Sequence, residues 1–295
     1  MDLVMFHSGG TLPAFLECNF KQIRLFNPDI NVFFLTDSGL MNDPLFEKYE
    51  VKALNKDNYY SDKIRQFEFV FTYDRNDLWF LAAVRLFYIE NFLKSQGLTD
   101  VYHFENDVLL YYDLSEHHSK FQRLYQNIAI TPGGPDKSMT GFMFIRYSES
   151  LARMTQFFIS VLHIYGMQGI IDAYHMDMLN EMTLMKAYHL DFGDKYITDL
   201  PILPFGEHSE NYSEFHSVFD PASWGQFVGG TQTWGPGATP PDHYIGQLLM
   251  AHPEYTVTWY RDEQGRNIPY FKYDDVEVKI NNLHIHSKNL HLYIS

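Results

Sequence analysis

The sequence predicts an α/β fold: a mostly parallel sheet flanked by helices, with an irregular C-terminal elaboration. Three observations carry this. Two short apolar runs, DLVMF at 2–6 and NVFFLT at 31–36, bracket a helical stretch. A second helical stretch at 76–93 leads through Gly97 into another apolar run, VYHF at 101–104. Beyond residue 200 the pattern loosens into loop-like segments, and 256–286 reads as short antiparallel strands. Strand–helix–strand units at this spacing imply parallel strands covered by helices.

In the first unit, TLPAFLECNFKQIRLF places Leu12, Phe15, Leu16, Ile23 and Phe26 roughly on one side, and Asn27-Pro28 supplies the stop. The opening is Rossmann-like but has no GxGxxG fingerprint, which disfavours a classical dinucleotide site. In 76–93, Asn76 or Asp77 can cap a helix whose inward stripe runs from Leu78 to Leu93. Arg85 falls inside that stripe, and a buried guanidinium needs an anionic partner. Further strands are expected at 127–131 and 141–146, and further helices at 148–164 and 176–189. The expected organisation is one domain over 1–295, with a nucleotide-binding half at 1–110 and an acceptor-binding half at 111–295.

Composition narrows the function. Hydrophobic residues make up 45% of the 295 and aromatics 17%, enough for a sizeable core. A net charge of −15 opposes non-specific binding to nucleic acid or anionic membrane, so any phosphate ligand needs local cations or a metal. The single cysteine, Cys18, excludes intrachain disulfides and cysteine-cluster metal sites and fits a reducing compartment. The N-terminal MDLVMFHSGG carries no basic region or long apolar run, and no stretch reads as a membrane span. The expected location is therefore cytoplasmic.

The most informative segment is VYHFENDVLLYYDL, 101–114, where Glu105-Asn106-Asp107 interrupts an apolar run. In extended chain, residues i and i+2 share a face, so both carboxylates can reach one cation. Hard oxygen donors suit Mg²⁺ or Mn²⁺, which are typically held by carboxylates together with substrate phosphates. An acidic strand-end turn is the ordinary alternative, but the position at the carboxyl end of a strand is where such sheets bind ligands. In LHIHSKNLH, 283–291, His284 and His286 would share a strand face, with Lys288 two residues on as a point charge for phosphate. Asp177 and Glu181 are four apart and would lie on one helix face at a cleft edge, as candidate catalytic carboxylates. Pro132-Gly133-Gly134 and Thr140-Gly141 flank the gap between two strands, where glycine permits close approach of an acceptor. Trp224 and Trp234 bracket a glycine-rich loop and could stack on a sugar.

Together these residues resemble the GT-A nucleotide-sugar glycosyltransferases, with Glu105-Asn106-Asp107 at the place of their DxD motif. The resemblance implies a mixed, mostly parallel Rossmann-like sheet and transfer of a sugar from a nucleoside diphosphate donor, UDP-linked by expectation, to a glycan hydroxyl. It implies Mn²⁺ or Mg²⁺ as cofactor, with Asp107 as the most direct ligand and Glu105 beside it. HIHSK resembles the C-terminal histidine and lysine region of glycogenin-like members, although spacing differs and the glycine is absent. It implies a histidine ligand, His284 or His286 with His286 favoured, and Lys288 on the diphosphate. His7, Ser8, Gly9, Asp37, Arg85 and Asn106 then fall to the nucleotide sugar, Gly133, Gly134, Trp224 and Trp234 to the acceptor. Asp177 or Glu181 would serve as base in an inverting reaction or stabilise the sugar centre in a retaining one, and the tail tilts the expectation toward retention. A nucleotidyltransferase is the enzymatic alternative, disfavoured because HSGGTLPAF contains no Arg or Lys. The non-catalytic alternative is a glycan-binding protein of the same shape.

Overall fold

The computed structural model describes residues 1–71, 77–231, 244–249 and 255–295. The chain opens with β1 (Asp2–Phe6), α1 (Leu16–Phe26) and β2 (Asn31–Thr36), then α2 (Pro44–Lys48), β3 (Val51–Asn55) and α3 (Asp62–Val70). α4 (Asp77–Gln96) leads into β4 (Thr99–Phe104), β5 (Val108–Leu110) and α5 (Ser115–Leu124). Next come β6 (Ile128–Pro132), β7 (Ser138–Tyr147), α6 (Ser148–Tyr174), α7 (Glu181–Phe192) and β8 (Ile197–Asp199). The remainder is α8 (Tyr212–Phe215), β9 (Ser217–Val218), α9 (Trp224–Gly229), β10 (Val257–Arg261), β11 (Asn267–Tyr273), β12 (Val276–Ile280) and β13 (Asn282–His284).

The central sheet has the order β3-β2-β1-β4-β7-β6-β8. β3, β2, β1 and β4 run parallel, β7 opposes both of its neighbours, and β8 is parallel to β6. This is the mixed, mostly parallel sheet expected. From β1 the chain winds outward to β3, then returns to place β4 on the other side of β1. The loops after β1 and β4 therefore flank a topological switch point, where open α/β sheets form their ligand crevice.

Side-chain alternation divides the core into two layers. Leu3 and Met5 of β1 join Phe142 and Phe144 of β7 in packing on α1 and α5. Val4 and Phe6 join Met143 and Ile145 against α3, α4, α6 and α7. A third cluster lies under the sheet β10-β11-β12-β9 and reaches Leu109 and Tyr111 of the central chain.

Several boundaries differ from the sequence expectation for identifiable reasons. The helix expected at 176–189 begins only at Glu181, because Asn180 caps it in a reciprocal box with Thr183. The helix expected at 148–164 continues to Tyr174 across a break at Gly166, whose φ of 64° suits glycine. That segment is also long and apolar enough to cross a membrane by length and composition, which the sequence reading had not recognised. Here Leu151, Met154, Phe158 and Leu162 of α6 are buried in the core, whereas Ile164 and Tyr165 are exposed.

The strand after the acidic motif is held in an unusual way. β5 pairs on one side with β13, His284 lying opposite Val108. Toward α1, amide side chains take the place of a neighbouring strand. Asn19 donates to the carbonyls of Asn106 (2.6 Å) and Val108 (3.0 Å), and Gln22 to that of Leu110 (2.8 Å). Just past the helix, Asn27 donates to Tyr112 at 3.0 Å and accepts from the Leu114 N–H at 2.7 Å. All three amides are buried, so these bonds answer backbone groups that water does not reach.

Asn19→Leu preserves approximate volume and removes two of these bonds. Orphaned buried carbonyls should lower unfolding free energy by about 2–4 kcal/mol. Urea titration reads the loss, and an unchanged midpoint would show that α1 does not hold the strand this way.

Candidate active site

Glu105, Asn106 and Asp107 form the turn between β4 and β5, and every part of it is tied down. The Glu105 N–H donates to Gly141 O (3.0 Å), and the Asn106 amide donates to Phe6 O at the end of β1 (3.1 Å). Asp107 O accepts from the Ile285 N–H (2.9 Å), which continues the β5–β13 ladder beyond its last pair. That ladder brings the C-terminal segment to a motif nearly 180 residues earlier in the chain.

Among the described residues, Glu105, Asp107 and His284 are the group whose potential ligand atoms all lie within 4.8 Å of one another. His284 Nε2 stands 3.2 Å from Asp107 Oδ1 and 3.5 Å from Glu105 Oε2. Two donors on an ion with bonds of about 2.1 Å are roughly 3–4.2 Å apart, so these separations need little change to accept one. Two carboxylates and an imidazole are also a donor set suited to Mn²⁺ or a similar divalent ion. The residues fit a metal.

The sequence reading favoured His286, and the geometry puts His284 in that place instead. β13 ends at His284, where the register sets the ring against the carboxylates, and the chain then turns, with the His286 N–H bonding His284 O at 3.1 Å. The His286 ring meets that of His284 edge-on, 4.1 Å between centroids and 62° between planes, and both line the cleft.

The electrostatics are those of a buried and a partly buried acid gathered with cations. Burial alone would raise the carboxyl pKa of both acids. For Glu105 the Arg85 guanidinium and His284 overcome it, and for Asp107 the Lys288 ammonium and His284 do so, holding both well below the usual carboxylate range. Burial depresses the His284 pKa, but Asp107 and Glu105 outweigh it and raise the group to about 10. His286 goes the other way, lowered by burial and by the charge on its neighbour. Arg85 has the anionic partner its position demanded, donating to Glu105 at 2.6 Å and to Thr140 Oγ1 at 2.6 Å. Lys288 pairs with Asp107 from a left-handed backbone position, φ 65°.

These groups line one wall of a cleft of about 630 Å³, with His7 and Ser8 at the switch point and Trp79, Met139, Met182 and Ile245 opposite. Glu181, the first residue of α7, is buried in it. Burial, and after it the Glu105 charge, push its carboxyl up to about 7 against the pull of Arg85. The loop after β1 is shaped by Asp37, which accepts from the Gly9 N–H at 2.7 Å and pairs with Lys56 at 3.1 Å.

Other expected residues do not gather here. Asp177 is exposed and lies before α7 rather than on it, so the shared helix face with Glu181 does not exist. Trp224 is 2% exposed, its ring 4.5 Å from that of Phe271, and it offers no face to a sugar. Trp234 and Asn76 lie outside the described residues. Gly133 and Gly134 form the β6–β7 turn, both N–H groups donating to Lys137 O, and a Cβ on Gly133 would fall 2.3 Å from Met139 Sδ. Close packing within the turn accounts for that glycine, and neither residue lines the cleft.

Of the residues that seat His284, only Gly141 is singled out by the sequence, and it admits the histidine rather than an acceptor. Asp220, 3% exposed, accepts from the N–H groups of Ser223 (2.8 Å), Trp224 (3.0 Å), Gly225 (2.9 Å) and His284 (2.8 Å). A Cβ on Gly225 would fall 2.2 Å from His284 O, and one on Gly141 would fall 2.6 Å from His284 Nδ1. Two glycines thus leave the space that the imidazole and its backbone occupy. The DPASWG segment carried a legible signal, an aspartate three residues before a serine and ahead of a short helix.

No protein-family model and no curated protein matches this sequence. Solved structures do. Mouse xyloside xylosyltransferase 1 in its apo form is 12% identical, with a TM-score of 0.51 over 72% of this chain and 92% of that one. The PaToxG glycosyltransferase is 10% identical, with a TM-score of 0.43 over 65% of this chain and 69% of that one. The galactosyltransferase LgtC, in complex with donor and acceptor sugar analogues, is 11% identical, with a TM-score of 0.40 over 68% and 73%. The first likeness identifies the fold as GT-A.

Asp220→Asn keeps the shape but turns an NH₂ toward N–H donors, so the seat of His284 should loosen. Affinity for Mn²⁺, read by calorimetry, should fall about 10–100-fold, the usual cost of losing an outer-shell partner, with the far-UV circular dichroism retained. Wild-type affinity would remove Asp220 from this role.

Proposed function

We propose that this chain is a metal-dependent glycosyltransferase, moving a sugar from a nucleoside diphosphate donor to a hydroxyl of a saccharide acceptor. The observation that carries the proposal is the meeting of Glu105, Asp107 and His284 at the switch point of a GT-A sheet. That point opens into a cleft large enough for a donor and part of an acceptor.

Glu105, Asp107 and His284 would hold the ion. When bound, a divalent cation in such a site supplies Lewis-acid stabilisation of the negative charge that develops on the departing diphosphate. The chain's own groups supply the rest. Lys288, at the cleft wall, is placed to transfer part of its attraction from Asp107 to a phosphate oxygen. Arg85 and Thr140 fix the rotamer of Glu105 through a closed three-way hydrogen-bond set, with Thr140 donating to Glu105 at 3.0 Å. Glu105 is thereby preorganised as a ligand. Ser8 and the Gly9 backbone, braced by Asp37, form the rim for the nucleoside.

Glu181 takes the role of the cleft carboxylate, alone and without Asp177. Poised near neutrality, it can accept a hydrogen bond or a proton from a sugar hydroxyl. Retention at the anomeric carbon is the stereochemical expectation carried by the tail's resemblance.

Calorimetry with UDP-glucose, UDP-xylose, UDP-galactose and GDP-mannose tests the reading. At least one donor should bind about tenfold or more tightly with Mn²⁺ than with EDTA. Asp107→Asn should erase that gain while leaving the fold intact. Equal affinity with and without metal for every donor would sink the metal role.

A further inference from the structure

A second cavity, about 720 Å³, lies on the surface of α6 and α7, away from the carboxylate cluster. Its apolar wall centres on Phe192. Three rings brace this side chain: Tyr188 at 4.9 Å, Phe157 at 5.7 Å and Tyr196 at 5.9 Å between centroids. Although held on three sides, Phe192 remains 48% exposed. A fixed aromatic ring facing solvent is a stacking surface whose ordering cost is already met by the fold.

The facing wall is polar. Glu149, Arg153, Gln156 and Ser160 follow one another on α6 at spacings of four, three and four residues, which puts them on one helix face. They present a carboxylate, a guanidinium, an amide and a hydroxyl, groups that give and accept hydrogen bonds. Glu149 and Arg153 offset each other in charge. Lys63, at the end of the groove, has its ammonium committed to Glu90 and to Ala152 O. The groove is therefore near neutral, and its two walls differ in kind.

From this we infer that the α6–α7 groove is a saccharide-binding site for a neutral oligosaccharide, separate from the catalytic cleft. A pyranose ring has an apolar face of C–H groups, polarised positively, which suits the negative face of an aromatic ring. Its hydroxyls project from the ring edge, where Arg153, bonded to Asn127, Gln156, bonded to Ser160, and Glu149, accepting from Ser148, each keep further donors or acceptors to offer. A few convergent polar groups beside aromatic ones make a small-molecule site of ordinary size. An apolar partner helix suits the groove poorly, because it would take the polar groups of Glu149, Arg153 and Gln156 out of water while adding no hydrogen bond to the ones they make within the chain. The inference goes beyond the proposed reaction and does not require it. The two sites are joined by α7, which carries Glu181 at its first position and Phe192 at its last, roughly 16 Å along the axis. An acceptor chain of several sugars held at the groove would be retained near the cleft between encounters, raising its effective concentration there.

The test uses no donor and no metal. Protein in EDTA is titrated with maltohexaose, cellohexaose, xylohexaose, chitohexaose and mannohexaose by calorimetry. At least one hexaose should bind with a Kd of about 1 mM or tighter. Phe192→Ala and Gln156→Ala should each weaken it about tenfold or more, whereas Asp107→Asn should bind as wild type. Gln156 is exposed, so its variant reports on the groove even if Phe192→Ala folds poorly. Failure of all five hexaoses to bind would overturn the proposal. So would loss of binding in Asp107→Asn alone, which would put the saccharide in the cleft. A concentration-dependent dimer, seen by sedimentation velocity and abolished by Phe192→Ala, would give the groove to a second copy and overturn it as well. Binding at the groove with no metal-dependent donor affinity would leave this inference standing and the transferase reading fallen.

Discussion

Two carboxylates brought together out of water must be neutralised, and much of this chain's architecture follows from that constraint. Glu105 and Asp107 sit two residues apart at the end of a core strand, and each ionised form is costly unless paired. Their cations come from distant elements: Arg85 from α4, His284 from the end of β13 and Lys288 from the turn beyond it. His284 and Lys288 could not reach the motif unless the C-terminal segment closed against the first half of the chain. The β5–β13 pairing provides that closure, and the third hydrophobic cluster, which joins Leu109 and Tyr111 to Leu283 and Ile285, holds it in place. The acidic motif is thus a structural junction as well as a candidate site.

The supports around that junction are almost all polar or glycine, and each does one thing. Asn19, Gln22 and Asn27 answer the carbonyls of a strand that has no neighbour on that side. Asp220 gathers four N–H groups and so binds the turn before α9 to the backbone of His284. Gly141 and Gly225 leave room where any side chain would strike the histidine. Such a junction is intolerant of small changes, because buried polar groups are costly once a partner is lost. It is also rigid, which is what a site needs if its ligand atoms are to meet an ion without rearrangement.

How much of this could be read from the sequence depended on the range of the interaction. β1, β2 and β4 were legible because apolar runs of strand length lay between turn signals, and α4 because its period was strong. Glu105-x-Asp107 was legible for a local reason, two acids on one face at a strand end. What failed was register and context. His284 and His286 are equivalent on a strand of unknown extent, and only the pairing of His284 with Val108, across some 176 positions, separates them. Asp177 was drawn into a helix because the periodicity of 175–188 outweighed the Asn180 cap within it. Trp224 borders a glycine-rich stretch that suggests a stacking surface, yet its ring is buried against Phe271, and the neighbouring Gly225 serves the close packing of the His284 backbone. The amides of α1 carried no signal at all, since their partners are backbone carbonyls whose position the sequence does not encode locally.

The overall charge of −15 poses a last question for the proposed reaction, because the donor is itself an anion. The answer lies in the local sum rather than the global one. At the cleft wall, Glu105 and Asp107 contribute two negative charges, Arg85 and Lys288 two positive ones, and His284 none once it has released its proton to serve as a ligand. Glu181, with its carboxyl pushed up to about 7, adds only part of a charge near neutral pH. The fixed groups therefore nearly cancel, and the full double charge of a divalent ion is left for the diphosphate. Since unpaired anions elsewhere on the surface are screened within about 8–10 Å at physiological ionic strength, they weaken this local attraction little. An acidic protein can hold an acidic donor in this way, and the arrangement makes donor affinity depend on the ion far more than on any single lysine or arginine. The carboxylate pair at the end of β4 is then where both closure of the fold and selection of the ligand are decided.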